Sequence, residues 1–277
     1  MLLAIDAGNT NIVFGLRLAT DADGDSMRFI SWRMATNVHA TQDDYASWLA
    51  FHLNQKNQAK KHGWQFADID GVIVSSVVPQ LLPPLSQFIT QHISAPLYTL
   101  APSDPSHGIS IKIDKPHQAG CDRIANAAAA SLYTLPAIVI DFGTATTFDY
   151  IDGDGAYAGG VIAPGVNLSV AALYKAAAQL PMLDSDEWTQ DMPIIGTTTR
   201  TAMNSGLFYG YISLIEGILG RIKKSIASKN ITVIATGGLG EMFAKAIPAI
   251  ECYDVDLTLK GLGIIYDRQA EKQGNRP

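Results

Sequence analysis

The sequence is poor in cysteine: only Cys121 and Cys252 occur among its 277 residues, and they stand in unrelated contexts. There is no Cys-x-x-Cys pair and no cluster of cysteine with histidine, so neither a disulfide framework nor a zinc site is expected. His39, His107 and His117 lie in polar stretches without metal-ligand spacing, and we expect all three at the surface.

Charged residues are also sparse, at 17% of the chain, and the net charge is −6. An acidic chain without a dense stripe of lysine and arginine is a poor candidate for nucleic-acid binding. No apolar stretch approaches the ~20 residues that span a bilayer. Residues 1–6 reach an acidic side chain too early for a signal peptide. We therefore expect a cytoplasmic protein with no nucleic-acid or membrane partner.

Several catalytic signatures are missing. The chain has no GxxxxGK[ST] segment, which argues against a P-loop kinase. It has neither GxSxG nor HExxH, so a serine hydrolase and a zinc protease are not indicated. Hydrophobic residues make up 47% of the chain, and its length suits two domains of ordinary size.

One motif occurs twice. Residues 3–14 predict a buried strand, a tight turn and a second strand, and residues 138–148 predict the same arrangement. Each copy has an apolar run, then Asp-x-Gly, then small polar residues and further β-forming residues. Asp6 and Asp141 occupy equivalent places, 141 − 6 = 135 residues apart, which is close to half of the chain.

The repetition continues downstream. Residues 71–76 and 231–236 predict two further apolar strands, each followed by a helical segment. The repeated order of strand, hairpin, helix, strand and helix predicts two similar α/β domains that face each other.

Helical patterns fill the remaining parts of both halves. Residues 40–54, with Thr41 as a candidate cap, and residues 199–228 each predict a helix. An alanine-rich helix is expected to start at Gly120 and to end before Pro136. We place the domain boundary there, which gives domains of residues 1–135 and 136–277.

The first Asp-x-Gly hairpin suits phosphate binding. Gly8 permits a sharp turn and a close approach to a ligand, while Asn9, Thr10 and Asn11 direct donors into one concavity. Asp6, at the carboxyl end of its strand, suits Mg²⁺ held directly or through water. A single hairpin of this kind is more often an ordinary turn. Two copies favour a clamp in which both hairpins hold one triphosphate.

Two further segments are candidate parts of a site. Asp122 and Arg123 follow Gly120 at the start of the alanine-rich helix, where a negative charge is favoured by the helix dipole. The ordinary interpretation is a capped helix with a solvated arginine, but a charged start on an apolar helix favours a position facing a cleft. Gly237 and Gly238 would let a nucleotide lie close to the backbone.

Five segments occur in an order that resembles the type III pantothenate kinases, and together they run through nearly the whole chain. They are Asp6-Ala7-Gly8-Asn9-Thr10-Asn11, Ser75-Ser76-Val77-Val78-Pro79, Gly120-Cys121-Asp122-Arg123, Asp141-Phe142-Gly143-Thr144-Ala145-Thr146-Thr147 and Gly159-Gly160-Val161-Ile162-Ala163-Pro164-Gly165. The resemblance implies an α/β fold of two duplicated ribonuclease-H-like domains, as in actin-like ATPases, with mixed sheets and an interdomain cleft. It also implies a homodimer that uses ATP, Mg²⁺ and a monovalent cation (K⁺ or NH₄⁺) to phosphorylate pantothenate to 4'-phosphopantothenate, the first step of coenzyme A synthesis.

The same resemblance implies roles for individual residues. Asp122 would be the catalytic base, Asp6 would lie near the Mg²⁺ of ATP, and Asp141 would hold the monovalent cation. The ATP-binding residues would be Asp6, Ala7, Gly8, Asn9, Thr10, Asn11, Ile12, Val13 and Thr144. The pantothenate-binding residues would be Gly120, Cys121, Asp122, Arg123 and Thr199.

The chain also departs from the usual pattern of that family. Ile113 stands where a tyrosine is usual, Lys115 where an asparagine is usual and Cys121 where an alanine is usual. Thr197 and Thr198 replace a basic residue and an asparagine. The missing tyrosine removes a hydroxyl and an aromatic face from the expected acceptor pocket.

Two alternative functions therefore stay open at the level of sequence. One is a kinase of the same superfamily with another small hydroxylated acceptor. The other is a non-catalytic nucleotide-binding regulator whose acceptor pocket has decayed. The presence of Asp6, Asp122, Arg123 and Asp141 favours catalysis, because decay should reach the catalytic carboxylates early.

Overall fold

The computed structural model describes residues 1–18, 27–55, 63–176, 181, 183, 188–189, 191–226, 228 and 230–272. In this part of the chain the strands are β1 (Leu2–Ala7), β2 (Asn11–Arg17), β3 (Phe29–Ala35), β4 (Gly71–Ser76), β5 (Leu97–Thr99), β6 (Ala137–Phe142), β7 (Ala145–Ile151), β8 (Tyr157–Pro164), β9 (Thr232–Thr236) and β10 (Cys252–Tyr253). The α-helices are α1 (Gln42–Asn54), α2 (Leu82–His92), α3 (Cys121–Ala130), α4 (Val166–Ala176), α5 (Thr199–Ser225), α6 (Gly240–Ala246) and α7 (Leu257–Lys272).

The strands form two five-stranded sheets with the same plan. The first has the order β3-β2-β1-β4-β5, and the second, read in the same direction, has the order β8-β7-β6-β9-β10. β1 pairs antiparallel with β2 and parallel with β4, and in the same way β6 pairs antiparallel with β7 and parallel with β9. The predicted α/β fold, with a duplicated ribonuclease-H-like domain and mixed sheets, is confirmed.

The first compact unit comprises Met1–Ala129 and Asp256–Pro277. β1 is buried along most of its length and β2 at Ile12, Phe14 and Leu16, because helices cover the sheet. Tyr45 and Leu49 of α1 join this core. The predicted cap is confirmed: the Thr41 hydroxyl accepts a 3.3 Å hydrogen bond from the Asp44 backbone N–H, and the Asp44 carboxylate accepts one from the Thr41 backbone.

The second unit is continuous and comprises Ala130–Val255. Its core contains Phe148, Phe208 and Phe243, which are almost fully buried. The long helix expected after residue 198 is confirmed as α5, and Thr198 caps it by accepting a 3.1 Å hydrogen bond from the Thr201 backbone N–H.

This division differs from the two halves expected from the sequence in the placement of the last helix. α7 follows the second half in sequence but packs on β1 and β4 of the first sheet. The reason is visible at Gly71 in β4, where a Cβ atom would lie 2.0 Å from the Tyr266 hydroxyl oxygen. Helix and strand therefore approach more closely than a side chain would allow.

None of the helices in the described residues is both long and apolar enough to cross a bilayer.

Candidate active site

Asp6 lies at the carboxyl end of β1, in register with Ser75 of the parallel strand β4. The Ser75 hydroxyl donates a 3.1 Å hydrogen bond to Oδ1 of Asp6. Because parallel strands end at the same edge of a sheet, this pair forms a polar ledge at the edge where ligands bind in α/β folds. Asp6 is partly exposed, as a carboxylate that shares a cation with water and phosphate must be.

The turn after β1 is held by backbone and threonine hydrogen bonds. The Gly8 N–H donates to the Asn11 carbonyl at 3.0 Å, and the Thr36 hydroxyl donates to the Gly8 carbonyl at 2.7 Å. Asn9 and Thr10 are exposed at the tip. The predicted phosphate-binding turn is therefore a rigid loop with a solvent-facing tip, and its fixed shape comes partly from Thr36 of the third strand's end.

Asp122 and Arg123 lie in the first turn of α3. Oδ1 of Asp122 accepts a 2.8 Å hydrogen bond from the Arg123 backbone N–H. The carboxylate folds back over Gly120, where a Cβ atom would lie 2.3 Å from the same oxygen. Burial raises the pKa of the Asp122 carboxyl above its ordinary value, and the Arg123 backbone and guanidinium offset this only in part. A carboxyl group of this kind has a raised affinity for a proton.

Cys121 lies near both Asp6 and Asp122. Its buried thiol donates a 3.2 Å hydrogen bond to the Leu100 carbonyl. Burial raises the pKa of the thiol to about 11, a rise that the Ser76 backbone moderates and the Asp122 and Asp6 carboxylates reinforce. Both carboxylates therefore lie close enough to Cys121 to act on it electrostatically, and the structure brings the predicted metal-associated residue and the predicted base to one region.

The second hairpin repeats the first at the end of β6. Asp141 is in register with Thr236 of β9, as Asp6 is with Ser75. Gly237 has φ = 87°, and a Cβ atom there would lie 2.6 Å from Oδ1 of Asp141. The carboxylate thus sits in a space that exists only because residue 237 has no side chain.

Gly165 keeps the tip of this hairpin close to the end of β8. A Cβ atom on Gly165 would lie 2.1 Å from the Thr144 carbonyl oxygen. Thr144 itself is exposed at the tip. Thr146, in contrast, is buried and hydrogen-bonded to the Tyr211 hydroxyl, which donates to the Pro164 carbonyl at 2.7 Å. Of these two threonines, only Thr144 presents a surface to a ligand.

The remaining predicted positions lie in two other segments of the chain. Thr199 begins α5 in the second unit and is exposed, as are Thr197 and Thr198 before it. Ile113 is half-buried and Lys115 is exposed, both in the segment that leads to α3. The structure therefore groups Asp6, Asp122 and Cys121 in one unit and Asp141 and Thr144 in the other.

The prediction that all three histidines lie at the surface is wrong for His107. Its side chain is 2% exposed, and Nδ1 accepts a 3.1 Å hydrogen bond from the Ile109 backbone N–H. Burial lowers the pKa of the imidazole, so it is kept neutral as part of a folded loop. Thr36 and Leu100 were missed in the sequence, and Ser75 was noted there only as part of a motif, because each acts through a partner far away in the chain.

Among the described residues, no group of three or more histidine, cysteine and acidic side chains is placed to hold a metal ion. Asp6 and Asp141 each stand as a single carboxylate at a strand end. One carboxylate suits a cation that keeps most of its ligands from water or from a bound phosphate.

The family model for type III pantothenate kinase matches residues 2–221. The chain belongs to the type III pantothenate kinase family. It is 45% identical over 273 residues to the type III pantothenate kinase of Caulobacter vibrioides, with 97% of each chain covered. It is 44% identical over 269 residues to that of Rhodospirillum rubrum, with 97% of this chain and 98% of the relative covered.

Similarity of fold reaches further than similarity of sequence. The activator of 2-hydroxyisocaproyl-CoA dehydratase from Clostridium difficile, solved with bound ADPNP, superposes with a TM-score of 0.52 at 11% identity. The alignment covers 100% of this chain and 98% of that one. At this identity the likeness shows that the two proteins share the fold.

We expect the two thiols of this family member to differ strongly in reactivity. With a pKa of about 11, Cys121 is ionised to about one part in 10³ at pH 8, and only the thiolate attacks a disulfide reagent. Titration with an aromatic disulfide should give one fast thiol, Cys252, and one slow thiol. The slow rate should rise about tenfold per pH unit.

The Cys252→Ser variant is the matched control and should retain only the slow phase, while denaturant should make both thiols of the wild type fast. Two fast thiols in the native wild type would contradict the buried, hydrogen-bonded placement of Cys121.

Proposed function

We propose that this chain catalyses the ATP-dependent phosphorylation of the pantothenate hydroxyl to 4'-phosphopantothenate, the first step of coenzyme A synthesis, in the cytoplasm. Family membership makes the chain a kinase of this type. The observation that supports the proposal most directly is the first turn of α3. There Asp122, with its raised pKa, lies beside Arg123, and both Asp122 and Asp6 raise the pKa of the Cys121 thiol between them.

Asp122 is proposed as the general base that receives the proton of the acceptor hydroxyl. Its raised pKa increases its affinity for that proton. The Arg123 backbone N–H fixes the orientation of the carboxylate. The hydroxyl oxygen then forms a bond to the γ-phosphorus in line with the bond to the bridging oxygen, which breaks, and ADP leaves. Positioning and charge stabilisation dominate in such a transfer.

Gly120, Cys121, Asp122 and Arg123 are proposed to bind pantothenate, with Thr199 as a further contact. The Arg123 guanidinium suits an anionic group, such as the carboxylate of the acceptor. Gly120 is required in this arrangement, because a Cβ atom would occupy the place of the Asp122 carboxylate. Ile113, at the position of the usual tyrosine, makes this side of the pocket more apolar.

The ATP phosphates are proposed to bind the first hairpin, residues 6–13, with Thr144 of the second hairpin as another contact. Asp6 beside the Ser75 hydroxyl fits a Mg²⁺ ion that arrives with ATP and keeps its other ligands from phosphate and water. Bound there, Mg²⁺ would neutralise charge on the phosphates. The exposed tip formed by Asn9 and Thr10 supplies backbone donors for phosphate oxygens.

Asp141 is proposed to hold a monovalent cation, K⁺ or NH₄⁺. Gly237 leaves the space beside Oδ1 of Asp141 free of a side chain, since a Cβ atom there would lie 2.6 Å from that oxygen. A large monovalent ion favours carboxylate, carbonyl and water oxygens. The neighbouring backbone of Phe142 supplies carbonyl oxygen close to the same space.

We expect Asp122→Asn to lower kcat by about 10²–10⁴-fold, the usual contribution of a general base. The amide keeps an oxygen that accepts from the Arg123 N–H, so the fold and the KM for ATP should change little. The measurement is ADP release coupled to NADH oxidation, with pantothenate as acceptor. Asp43→Asn, an exposed carboxyl on α1, is the matched control.

Undiminished turnover in Asp122→Asn would remove this residue from the role of base. A wild-type protein that releases ADP with another hydroxylated acid but not with pantothenate would place it with a different acceptor. A wild type that binds ATP and phosphorylates no acceptor would identify a regulator.

We expect potassium to stimulate the wild-type enzyme, and Asp141→Asn to lose that stimulation, because a neutral amide attracts a cation much less than a carboxylate does. Rates are compared in potassium chloride and in choline chloride of equal ionic strength. Equal stimulation of wild type and variant would assign the cation to another site.

A homodimer is proposed on the basis of the exposed apolar side chains of the second unit. Large hydrophobic side chains are exposed on β8, on α4 and before α5, including Ile162 (65%), Leu168 (54%), Ile194 (66%) and Ile195 (79%). β8 is also an edge strand of its sheet. Exposed apolar side chains of this kind are typical of protein–protein interfaces, and a second copy of the chain is proposed to cover them.

Ile195→Glu is expected to convert the dimer to a monomer, because an interface of apolar residues must desolvate the new charge. Light scattering on a size-exclusion column measures the mass. Phe51→Glu, at a side chain that is 63% exposed on the first unit, is the matched control and should leave the mass unchanged. A monomeric wild type would contradict the proposal.

A further inference from the structure

α7 is anchored to the first sheet by three kinds of contact. The Arg17 guanidinium donates two hydrogen bonds to Asp267, at 2.7 and 2.6 Å. Leu259 packs against Gly15, where a Cβ atom would lie 2.6 Å from its Cδ1. A Cβ atom on Gly71 would lie 2.0 Å from the Tyr266 hydroxyl oxygen. The helix is thus fixed to β2 and β4 along much of its length.

The same helix also contacts α3. A Cβ atom on Gly261 would lie 1.8 Å from the Ala125 carbonyl oxygen, so the two helix backbones touch. The Thr258 hydroxyl donates a 2.8 Å hydrogen bond to Oδ1 of Asn126. Gly261 and Thr258 are three residues apart on α7 and lie on the same side of the helix. They contact Ala125 and Asn126, which are adjacent residues of α3.

Asn126 is an unusual residue for its position. It is 1% exposed in an alanine-rich helix, and its Nδ2 has no hydrogen-bond partner among the described residues. A buried amide with an unsatisfied donor is costly, and an alanine would avoid that cost. Among the described residues, the hydrogen bond of this side chain is the one that Oδ1 accepts from Thr258. An asparagine at this position therefore serves to link α3 to α7.

Asn126 lies one helical turn, about 6 Å along the axis, after Asp122. α3 is a short helix of 10 residues, and its hydrogen-bonded backbone moves as one body over a single turn. Whatever fixes Ala125 and Asn126 therefore also fixes the depth and rotation of the first turn, with Asp122 and Arg123.

We propose that Thr258 is a positioning residue for phosphoryl transfer: through Asn126 it holds the first turn of α3 in place. This inference rests on the proposed function, because it assigns meaning to the position of Asp122. Gly261 supports the same contact by allowing the close approach.

Thr258→Val keeps the shape of the side chain and removes its hydroxyl. A displacement of 1 Å can cost about 10²-fold in rate, and we expect the loss of this one hydrogen bond to lower kcat by about tenfold. The KM for ATP should stay within about twofold, because residues 6–13 do not belong to α3. Thr258→Ser keeps the hydroxyl and should restore most of kcat.

Asp267→Asn is the matched control. It weakens the attachment of the same helix to β2 and leaves the contact with α3 intact, so it should lower the thermal midpoint and leave kcat near the wild-type value. All four proteins are assayed together for ADP release with pantothenate and for thermal unfolding.

Each outcome of this comparison decides the inference. A low kcat for Thr258→Val alone, with rescue by serine, supports it. The inference is overturned if kcat falls in parallel with the thermal midpoint in both Thr258→Val and Asp267→Asn. It is also overturned if kcat does not change in Thr258→Val. If the wild type itself has no pantothenate-dependent turnover, the proposed function fails, and this inference fails with it.

Discussion

The parallel pairing of β1 with β4, and of β6 with β9, is the constraint on which the rest of the structure depends. It brings the end of β1 beside the end of β4 and the end of β6 beside the end of β9. Asp6 thereby meets Ser75, and Asp141 comes beside Thr236 and Gly237. Each hairpin gains a polar neighbour from a strand far away in the chain, and each unit has a site edge built in the same way.

The two copies of this arrangement have diverged in detail. Residues 8–11 lie between the last paired residues of the first hairpin, and residues 143–145 between those of the second. The shorter turn is packed against Gly165, whereas the longer one is tied by Thr36. A common plan therefore carries two surfaces of different shape, which suits the proposal that one serves ATP with its metal and the other a monovalent cation.

The sequence predicted the repeated elements well, because their signals are local. The apolar strands, the capped start of α1 and the start of α5 follow from periodicity and capping residues. The packing of α7 on the first sheet could not be predicted, since an amphipathic pattern does not indicate which of the two sheets the helix packs on. The burial of His107 was missed for the same reason: its partners are set by the folded loop and the charged end of α7. In the candidate site, the motif residues were visible, but the supporting contacts of Cys121 and Gly237 required the fold.

The return of α7 to the first unit bears on the order in which the chain folds during synthesis. The second unit is continuous and can close as soon as residue 255 has left the ribosome. The first unit must wait for its final helix, and 126 residues separate its two segments, from 130 to 255. At a translation rate of about 5–20 residues per second, the synthesis of those 126 residues takes roughly 6–25 s. During that time α7 does not cover Gly15 and Gly71, and apolar surface of the earliest strands stays exposed until α7 has been made.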